Sequence, residues 1–366
     1  MTSQRPRRWL LAAVVVVLLV VAGVIFRNRQ QPSTADRAAR TLAAHFLATW
    51  VDADGRVVRR DQGNDSVSEG QAYGMLLAVT AGDRAKFDTI WSWTRMHLQQ
   101  PDGLLAWRWV DGKVADEQSA ADADIDAAWA LALAGRKFGD SHATSSGRAL
   151  AAAALAHETV ATQSGRVLVA GPWAIKSPAT VNPSYLVGGT ASMLSRLTGD
   201  REWDSVATAT RHLDGTLVNS ALPPDWASVH PDQSSSGVTP AGSPDGSAGP
   251  RYGLDAPRLL IRLASSCDSA DRALAAAASR AVGSLGEPAI RSLSGEPQVS
   301  WRHPISDVAV AAVASAAGDR AGVTSALSAA ERTQATTPTY YGAAWIALGA
   351  AMLTTRTLTD CAASTS

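Results

Sequence analysis

The stretch NDSVSEGQAYGMLLAV, residues 64–79, joins a polar opening to an apolar run of helical length. Its Ser66 and Glu69 have the spacing of a capping box, in which both side chains bind backbone amides at a helix N-terminus. The stretch therefore predicts a buried helix with Glu69 in its first turn. Glu69 is then either a capping residue or a carboxyl group that is available for chemistry.

Runs of helical length recur along the chain as far as its C-terminal region. Amphipathic runs alternate with Gly, Pro and Asp breaks, and the Ala-rich composition also favours helix. About a dozen helices without a fixed-period repeat indicate a double ring of helical hairpins rather than a solenoid. Strand signals are limited to RVLVAG, residues 166–171, and PQVSW, residues 297–301. The predicted helices span residues 37–51, 68–81, 84–99, 121–138, 146–162, 184–197, 202–217, 255–265, 269–285, 305–317, 320–333 and 341–354.

The first 29 residues have a different character. Residues 9–26 are an uncharged run of 18 residues, which as a helix spans roughly 27 Å, enough for a bilayer core. Because no small-residue cleavage site precedes Arg27, we predict an uncleaved transmembrane signal-anchor, with a cleaved signal peptide and secretion as the alternative. The slight Arg excess before the run favours an extracytoplasmic body. We predict a linker over residues 30–36, an all-α domain over 37–357 and a tail over 358–366.

The formal net charge is zero, which gives a nucleic-acid partner no electrostatic support. The two cysteines, Cys267 and Cys361, lack the spacing of metal ligands, so we predict no zinc site and no cofactor. In an exported body they could form a disulfide, and two unpaired thiols are the alternative. The Ser-, Gly- and Pro-rich segment over residues 230–253 cannot build a core and is predicted to be a functional or disordered loop.

Three acidic positions open predicted helices. They are Glu69, Asp122 in SAADADIDAAWALALAG (residues 119–135), and Asp255 in YGLDAPR (residues 252–258). Each could simply stabilise a helix N-terminus. In a ring of hairpins, however, the first turns of the inner helices share one end, and their carboxyl groups can converge. Hydrolysis of a glycosidic bond needs two such groups, one as a proton donor and one to activate water or attack the sugar.

Tryptophans are frequent near the predicted helix ends and loops, where their rings could stack on the apolar faces of sugars. The candidates stand in WSW (Trp91 and Trp93), WRW (Trp107 and Trp109), GPW (Trp173) and PDW (Trp226). Core packing is the alternative for each of them. It is the better interpretation for Trp129 and Trp345, which lie within apolar helical runs.

Taken together, these motifs resemble glycoside hydrolase family 8. SEGQAYGMLLAV is similar to the family's signature around its proton donor, and SAADADIDAAWALALAG to its second signature. VNPSYL (residues 181–186), PPDW (223–226) and YGLDAPR follow in the family's order. The resemblance covers about residues 35–357 and implies an (α/α)6 barrel. GLLAWRW (103–109) further resembles the endo-β-1,4-glucanases that accompany bacterial cellulose synthases.

The resemblance implies a role for each matching residue. Glu69 would be the general acid, Asp255 the general base of an inverting reaction, and Asp122 the carboxylate that holds the sugar. Predicted substrate contacts are Tyr73, Trp107, Trp173, Tyr185, Trp226 and Arg258. Ala121 and Ala127 depart from the family's usual residues without removing a catalytic group.

The substrate implied by the resemblance is a β-1,4-linked polysaccharide, cellulose first, and a polysaccharide synthase or exporter is a possible partner. A chitosanase or xylanase with the same machinery is one alternative. A glycan-binding protein without activity on the same fold is another. Retention of both Glu69 and Asp255 favours an enzyme, because binding alone requires neither a proton donor nor a base.

Overall fold

The computed structural model describes residues 32–218, 221–231, 237–282 and 288–359. The predicted signal-anchor, residues 1–29, lies outside these ranges. Among the described residues, no helix is both long enough and apolar enough to cross a membrane.

The described ranges contain twelve α-helices, joined by short strands and loops. The helices are α1 (Thr34–Trp50), α2 (Ser68–Ala81), α3 (Arg84–His97), α4 (Ala121–Phe138), α5 (Ser141–His157), α6 (Gly188–Thr198), α7 (Glu202–Val218), α8 (Ala256–Ser265), α9 (Ser269–Val282), α10 (Pro304–Ala316), α11 (Arg320–Thr336) and α12 (Tyr340–Thr354).

Three small antiparallel sheets interrupt the helices. They are β1–β2–β3, β4–β5 and β6–β7–β8. Their strands are β1 (Ser66–Val67), β2 (Ala106–Val110), β3 (Lys113–Ser119), β4 (Thr159–Thr162), β5 (Gly165–Leu168), β6 (Ala179–Val181), β7 (Trp226–Val229) and β8 (Val238–Ala241).

The helices form an inner and an outer layer. Helices α2, α4, α8, α10 and α12 are buried on nearly all faces, whereas α1, α3, α5 and α11 bury only one stripe. Inner helix α2 packs against α4 and α12, and α10 packs against α8 and α12. A short 3₁₀ helix, Pro183–Tyr185, contacts both α4 and α8 and fills the position between them. Outer helix α1 packs on α2 and α12, so the ring closes in the manner of an (α/α)6 barrel.

Several predicted boundaries were wrong where a short element intervened. The predicted helix 184–197 is divided, because the Asn182 side chain accepts a hydrogen bond from Ser184 N–H and starts the 3₁₀ helix before α6. The predicted helix 146–162 ends at His157 and is followed by strand β4. RVLVAG does contribute to β5, but PQVSW forms only an isolated bridge at Pro297.

The predicted capping box at Ser66 and Glu69 is also wrong. Strand β1 holds Ser66 and Val67 extended against β2, so helix α2 begins only at Ser68 and Val67 is its N-cap. The Ser66 hydroxyl donates instead to the carbonyl of Val57. A capping box does occur at Ser33 and Asp36, within the segment predicted as a linker, where α1 begins.

The Ser- and Gly-rich segment is more ordered than its composition suggests. Strand β8 lies within it and pairs with β7, which begins at Trp226. The predicted loop therefore shares a sheet with the PPDW motif. Cys267, two residues after the end of α8, is disulfide-bonded, whereas Cys361 lies outside the described residues.

Candidate active site

One guanidinium group gathers the three predicted carboxylates. Nη1 of Arg258 donates to Oε2 of Glu69 and to Oδ2 of Asp122, each at 3.0 Å. Nη2 of the same side chain lies 3.0 Å from Oδ1 of Asp255. Residues that are 189, 136 and 3 positions apart in the chain therefore meet at one point.

The fold explains this convergence. Glu69 and Asp122 are the second residues of α2 and α4, and Asp255 is the N-cap residue of α8. The inner helices present these N-terminal ends at the same end of the barrel. None of the three helices has a side-chain cap in the N-cap position, so the carboxyl groups turn inward toward Arg258 instead.

The exposure of the three carboxyl groups differs. The side chains of Glu69 and Asp255 are 20% and 28% exposed, whereas that of Asp122 is 3% exposed. Glu69 and Asp255 can therefore contact a bound molecule directly, whereas Asp122 is almost fully covered and lies behind them.

Burial raises the pKa of Glu69 to about 8, and the negative charge of Asp122 raises it further than Asp255 does. Arg258 opposes this shift but does not cancel it. The positive end of the α2 dipole also favours the ionised form. This upward shift is in the direction that a proton donor working near neutral pH requires.

Asp122 lies deeper than Glu69. Burial raises its pKa, while Arg258 lowers it, and the charge of Asp126 one turn further along α4 raises it. One of its oxygens accepts the N–H of Ala123 at 2.9 Å and the other accepts from Arg258. The carboxyl group is thus fixed in orientation on both sides.

Asp255 is held by two residues that flank strands of the β6–β7–β8 sheet. Asn182, which follows β6, donates from Nδ2 to Oδ2 of Asp255 at 2.9 Å. Asp225, which precedes β7, accepts the backbone N–H groups of Gly253, Asp255 and Ala256 on its Oδ1 at 2.9, 3.1 and 2.9 Å. These bonds fix the backbone that carries Asp255. Burial, followed by the charge of Asp255, raises the pKa of Asp225 to about 6.

Gly253 is required by this arrangement. A Cβ atom at that position would lie 2.1 Å from Oδ2 of Asp225. Only glycine lets the carboxylate approach the backbone closely enough to bind three amides, which explains the glycine in the YGLD sequence.

A cleft of about 1030 Å³ opens beside Glu69 and Asp255. Trp301 lies on its wall and is 45% exposed, and Tyr341 donates from its hydroxyl to the carbonyl of Leu254 at 3.2 Å. The exposed indole ring of Trp301 suits stacking against the apolar face of a sugar. The cleft is lined by Arg59, Gln62, Glu69, Leu254, Asp255, Ser300, Trp301, Arg302, His303, Ala329, Arg332, Thr333, Thr336, Thr337, Thr339 and Tyr341.

The predicted aromatic contacts lie near the same end of the barrel but outside the lining of this cleft. Trp107 on β2 is 37% exposed, and the β1–β2 register places it beside the start of α2. Trp173 is 39% exposed and donates from its indole to the carbonyl of Ser119, just before α4. Trp226 packs edge-on against Tyr185, with ring centroids 6.0 Å apart.

Other aromatic residues have structural positions. Trp109 packs on Trp93, with centroids 5.6 Å apart, and both lie outside the cleft lining. Trp91 lies within helix α3 rather than at a helix end. Trp129 and Trp345 are buried, as predicted.

Three predicted substrate contacts are buried behind the carboxylates. Tyr73 is fully buried, and its hydroxyl accepts a hydrogen bond from Nη1 of Arg258 at 3.1 Å. Arg258 itself is 1% exposed, and its guanidinium lies 5.2 Å from the ring centroid of Tyr185. Because buried groups present little surface to a ligand, Tyr73 and Arg258 hold the carboxylates in place, and Tyr185 supports Arg258.

Sequence reasoning missed Asn182, Asp225 and Trp301. Asn182 and Asp225 stand in motifs that were noticed, VNPSYL and PPDW, but their partners are more than 25 residues away along the chain. Trp301 was assigned to a strand.

The sequence profile described as glycosyl hydrolases family 8 matches residues 33–248. The match includes Glu69 and Asp122 and ends before Asp255. A probable endoglucanase from Novacetimonas hansenii is 44% identical over 99 residues, which are 26% of this chain and 29% of that protein. The chain spans between 29% and 35% of the length of three curated relatives.

Solved structures cover much more of the chain. The endo-β-1,4-glucanase CMCax from Acetobacter xylinum has a TM-score of 0.71 and 28% identity, covering 86% of this chain and 97% of that one. A β-1,3-1,4-glucanase from Paenibacillus sp. X4 has a TM-score of 0.74 at 19% identity, over 88% and 93% of the two chains. The second likeness concerns the fold alone.

Proposed function

Because the chain belongs to family 8 of the glycosyl hydrolases, we propose that it is an endo-β-1,4-glucanase that hydrolyses cellulose-like glucans with inversion. The convergence of Glu69, Asp122 and Asp255 on Arg258 carries this proposal. Relatives named endoglucanase, and a structural neighbour named endo-β-1,4-glucanase, support the choice of substrate.

The chemistry divides between the two exposed carboxyl groups. Protonated Glu69 donates its proton to the glycosidic oxygen as the bond to the anomeric carbon breaks. Ionised Asp255 removes a proton from a water molecule, whose oxygen attacks the anomeric carbon from the opposite face. Asp122 binds hydroxyl groups of the sugar at the cleavage point, where its contacts strengthen as the ring distorts.

Asp122 is the competing candidate for the second catalytic role. It shares Nη1 of Arg258 with Glu69, whereas Asp255 binds the other nitrogen, and its charge raises the pKa of Glu69 more than that of Asp255 does. Retaining enzymes have carboxyl groups about 5–5.5 Å apart and inverting enzymes about 6.5–9.5 Å apart. The greater exposure of Asp255 favours it as the base, because it leaves room for water.

We further propose that the body lies outside the cytoplasm, held to the cell membrane by the N-terminal segment or released after cleavage. The disulfide at Cys267 supports an oxidising compartment. In that location a β-1,4-glucan chain is the accessible substrate, and a polysaccharide synthase or exporter is the proposed partner.

The test combines substrate choice with stereochemistry. Carboxymethyl-cellulose, mixed-linkage β-glucan, xylan and chitosan are each incubated with the protein, and the products are measured. The proposal expects internal cleavage of carboxymethyl-cellulose. It also expects that the α-anomer is released first, which proton NMR detects before mutarotation. Preference for xylan or chitosan would instead assign the protein as a xylanase or chitosanase. Initial release of the β-anomer would indicate retention and would make Asp122, not Asp255, the second catalytic carboxylate.

Variants separate catalysis from binding. Glu69→Gln and Asp255→Asn should each lower kcat by about two orders of magnitude or more while leaving the fold intact. Asp122→Ala should reduce kcat more than it raises KM. Binding of the glucan without turnover by the unmodified protein would instead indicate a glycan-binding function.

A further inference from the structure

Two ion pairs connect α4 to α8, one above the other. Asp122 binds Arg258 at the cleft, and one helical turn deeper Asp126 binds Arg262 through two bonds of 2.8 and 2.7 Å. Residues four positions apart lie on the same face of a helix, so the two pairs repeat with the same spacing on both helices. We name Asp126–Arg262 the lower pair.

The lower pair lies in the interior of the barrel. Its side chains are 1% and 2% exposed, and Arg262 lies 5.7 Å from the ring centroid of Trp345 on α12. Helices α4 and α8 are separated by the 3₁₀ helix, which contacts both, so charged side chains span the space between them.

Stability alone does not explain the lower pair. Burying two charges has a desolvation cost that often exceeds their attraction, and apolar residues of similar volume frequently stabilise a protein as well or better. Here the surrounding side chains include Trp345 and Trp129, which would pack readily against an apolar pair.

The charges at Arg258 and its three carboxylates supply another explanation for the lower pair. Arg258 must hold three carboxylates at once, and Arg262 lies one turn below it on α8. If Asp126 were absent, Arg262 would offer Asp122 a second cationic partner. If Arg262 were absent, Asp126 would compete for Arg258. A closed lower pair prevents this competition, and its two bonds also fix the spacing of α4 and α8 one turn below Asp122 and Arg258.

We propose that Asp126 and Arg262 are positioning residues that keep Asp122 and Arg258 in their catalytic arrangement. The proposal rests on the function proposed above. It assigns the lower pair no contact with substrate, and its effect reaches the reaction through Asp122 and Arg258.

The main test removes both charges together. The double variant Asp126→Leu/Arg262→Met leaves no unpaired buried charge, so it should fold with a melting temperature near that of the parent. Its kcat on carboxymethyl-cellulose should fall by about tenfold or more, because small displacements of catalytic groups are costly, while KM changes little. An unchanged kcat in the folded double variant would overturn the proposal.

A conservative substitution provides the second measurement and its control. Arg262→Lys keeps the charge but loses the two-bond geometry, and should have a kcat between those of the parent and the double variant. Arg211→Lys is the matched control, because Arg211 binds the buried Asp271 at 2.9 Å, and Asp271 packs beside Gly189 rather than at the cleft. If the double variant does not fold, equal kcat values for Arg262→Lys and Arg211→Lys refute the positioning role.

A crystal structure of the double variant separates this proposal from the proposed function. A displaced Arg258, with its 3.0 Å contact to Asp122 lost, supports positioning even if the parent cleaves none of the four polysaccharides. An Arg258 unmoved in the variant refutes it. An inactive parent, by contrast, refutes only the proposed function.

Discussion

Glu69 combines two properties that normally exclude each other. It stands in the first turn of a helix, where the dipole favours an ionised carboxylate, and yet its pKa is raised to about 8. Burial is the largest cause of the rise, and the charge of Asp122 is the next. The side chain stays accessible at its tip, so a desolvated proton donor still reaches the cleft.

This pKa predicts the alkaline limit of activity. A general acid works only while protonated, so activity should be lost as pH rises through about 8, the pKa of Glu69. In Asp122→Asn the charge that raises this pKa is removed, so the remaining activity should be lost at a lower pH. The measurement is kcat/KM against pH for both proteins. An alkaline limit that stays in place in Asp122→Asn would show that another group sets it.

A second pair of buried carboxyl groups lies behind the site. Asp124 and Glu158 face each other, and burial together with the neighbouring charge raises the pKa of Glu158 well above its ordinary value. Asp124 also accepts the N–H of Leu105 at 3.0 Å, just before strand β2. Asp124 therefore ties the residue before the strand of Trp107 to the helix of Asp122.

At the scale of elements, the inner helices were predictable from the sequence, but the residues that cap or interrupt helices were less so. Apolar runs placed α2, α4 and α12 within a residue of their observed starts, because buried helices need long apolar segments. The capping box at Ser66 failed because pairing of β1 with β2, a long-range interaction, keeps Val67 extended. Local patterns cannot reveal such pairing, nor the 3₁₀ helix that bridges α4 and α8.

The site divides in the same way. Glu69, Asp122 and Asp255 stand in motifs with local signatures, and the sequence predicted that their carboxyl groups could converge, as they do at Arg258. Asn182 and Asp225 act on a residue brought to them by the β6–β7–β8 sheet, so nothing in their own neighbourhoods marks them. The sequence also suggested that Arg258 and Tyr73 touch substrate, because a motif does not report the depth of a side chain.

Asp225 accepts backbone N–H groups at the start of α8, so its removal should destabilise that helix terminus. Asp225→Ala leaves three backbone amides without their acceptor, which should lower the free energy of unfolding by about 1–3 kcal/mol and displace Asp255. Asp225→Asn keeps one oxygen for those amides and serves as the matched control. Chemical denaturation and kcat are measured for both variants. Equal stability of Asp225→Ala and the parent would contradict the capping role.

At the scale of the whole molecule, the chain enters the barrel at the end opposite the cleft. Asp36, in the first turn of α1, lies beside Val79, Lys137 and Arg356, which are near the C-terminal ends of α2, α4 and α12. The carboxylates lie at the other ends of α2 and α4, about 20 Å away along a helix of this length. An N-terminal membrane attachment would therefore leave the cleft facing outward.

This geometry predicts that the N-terminal segment can be removed without loss of activity. A variant that begins at Pro32 keeps the capping box of Ser33 and Asp36, so it should fold and cleave soluble glucan with the kcat of the full chain. The full chain should sediment with membranes and this variant should not.

A variant that begins at Arg37 is the control, because it lacks the capping box and should be less stable by about 1 kcal/mol. Sedimentation, thermal unfolding and turnover are measured on all three proteins. Loss of turnover in the Pro32 variant would show that residues before α1 support the active site, and equal sedimentation of the full chain and the Pro32 variant would refute the membrane attachment.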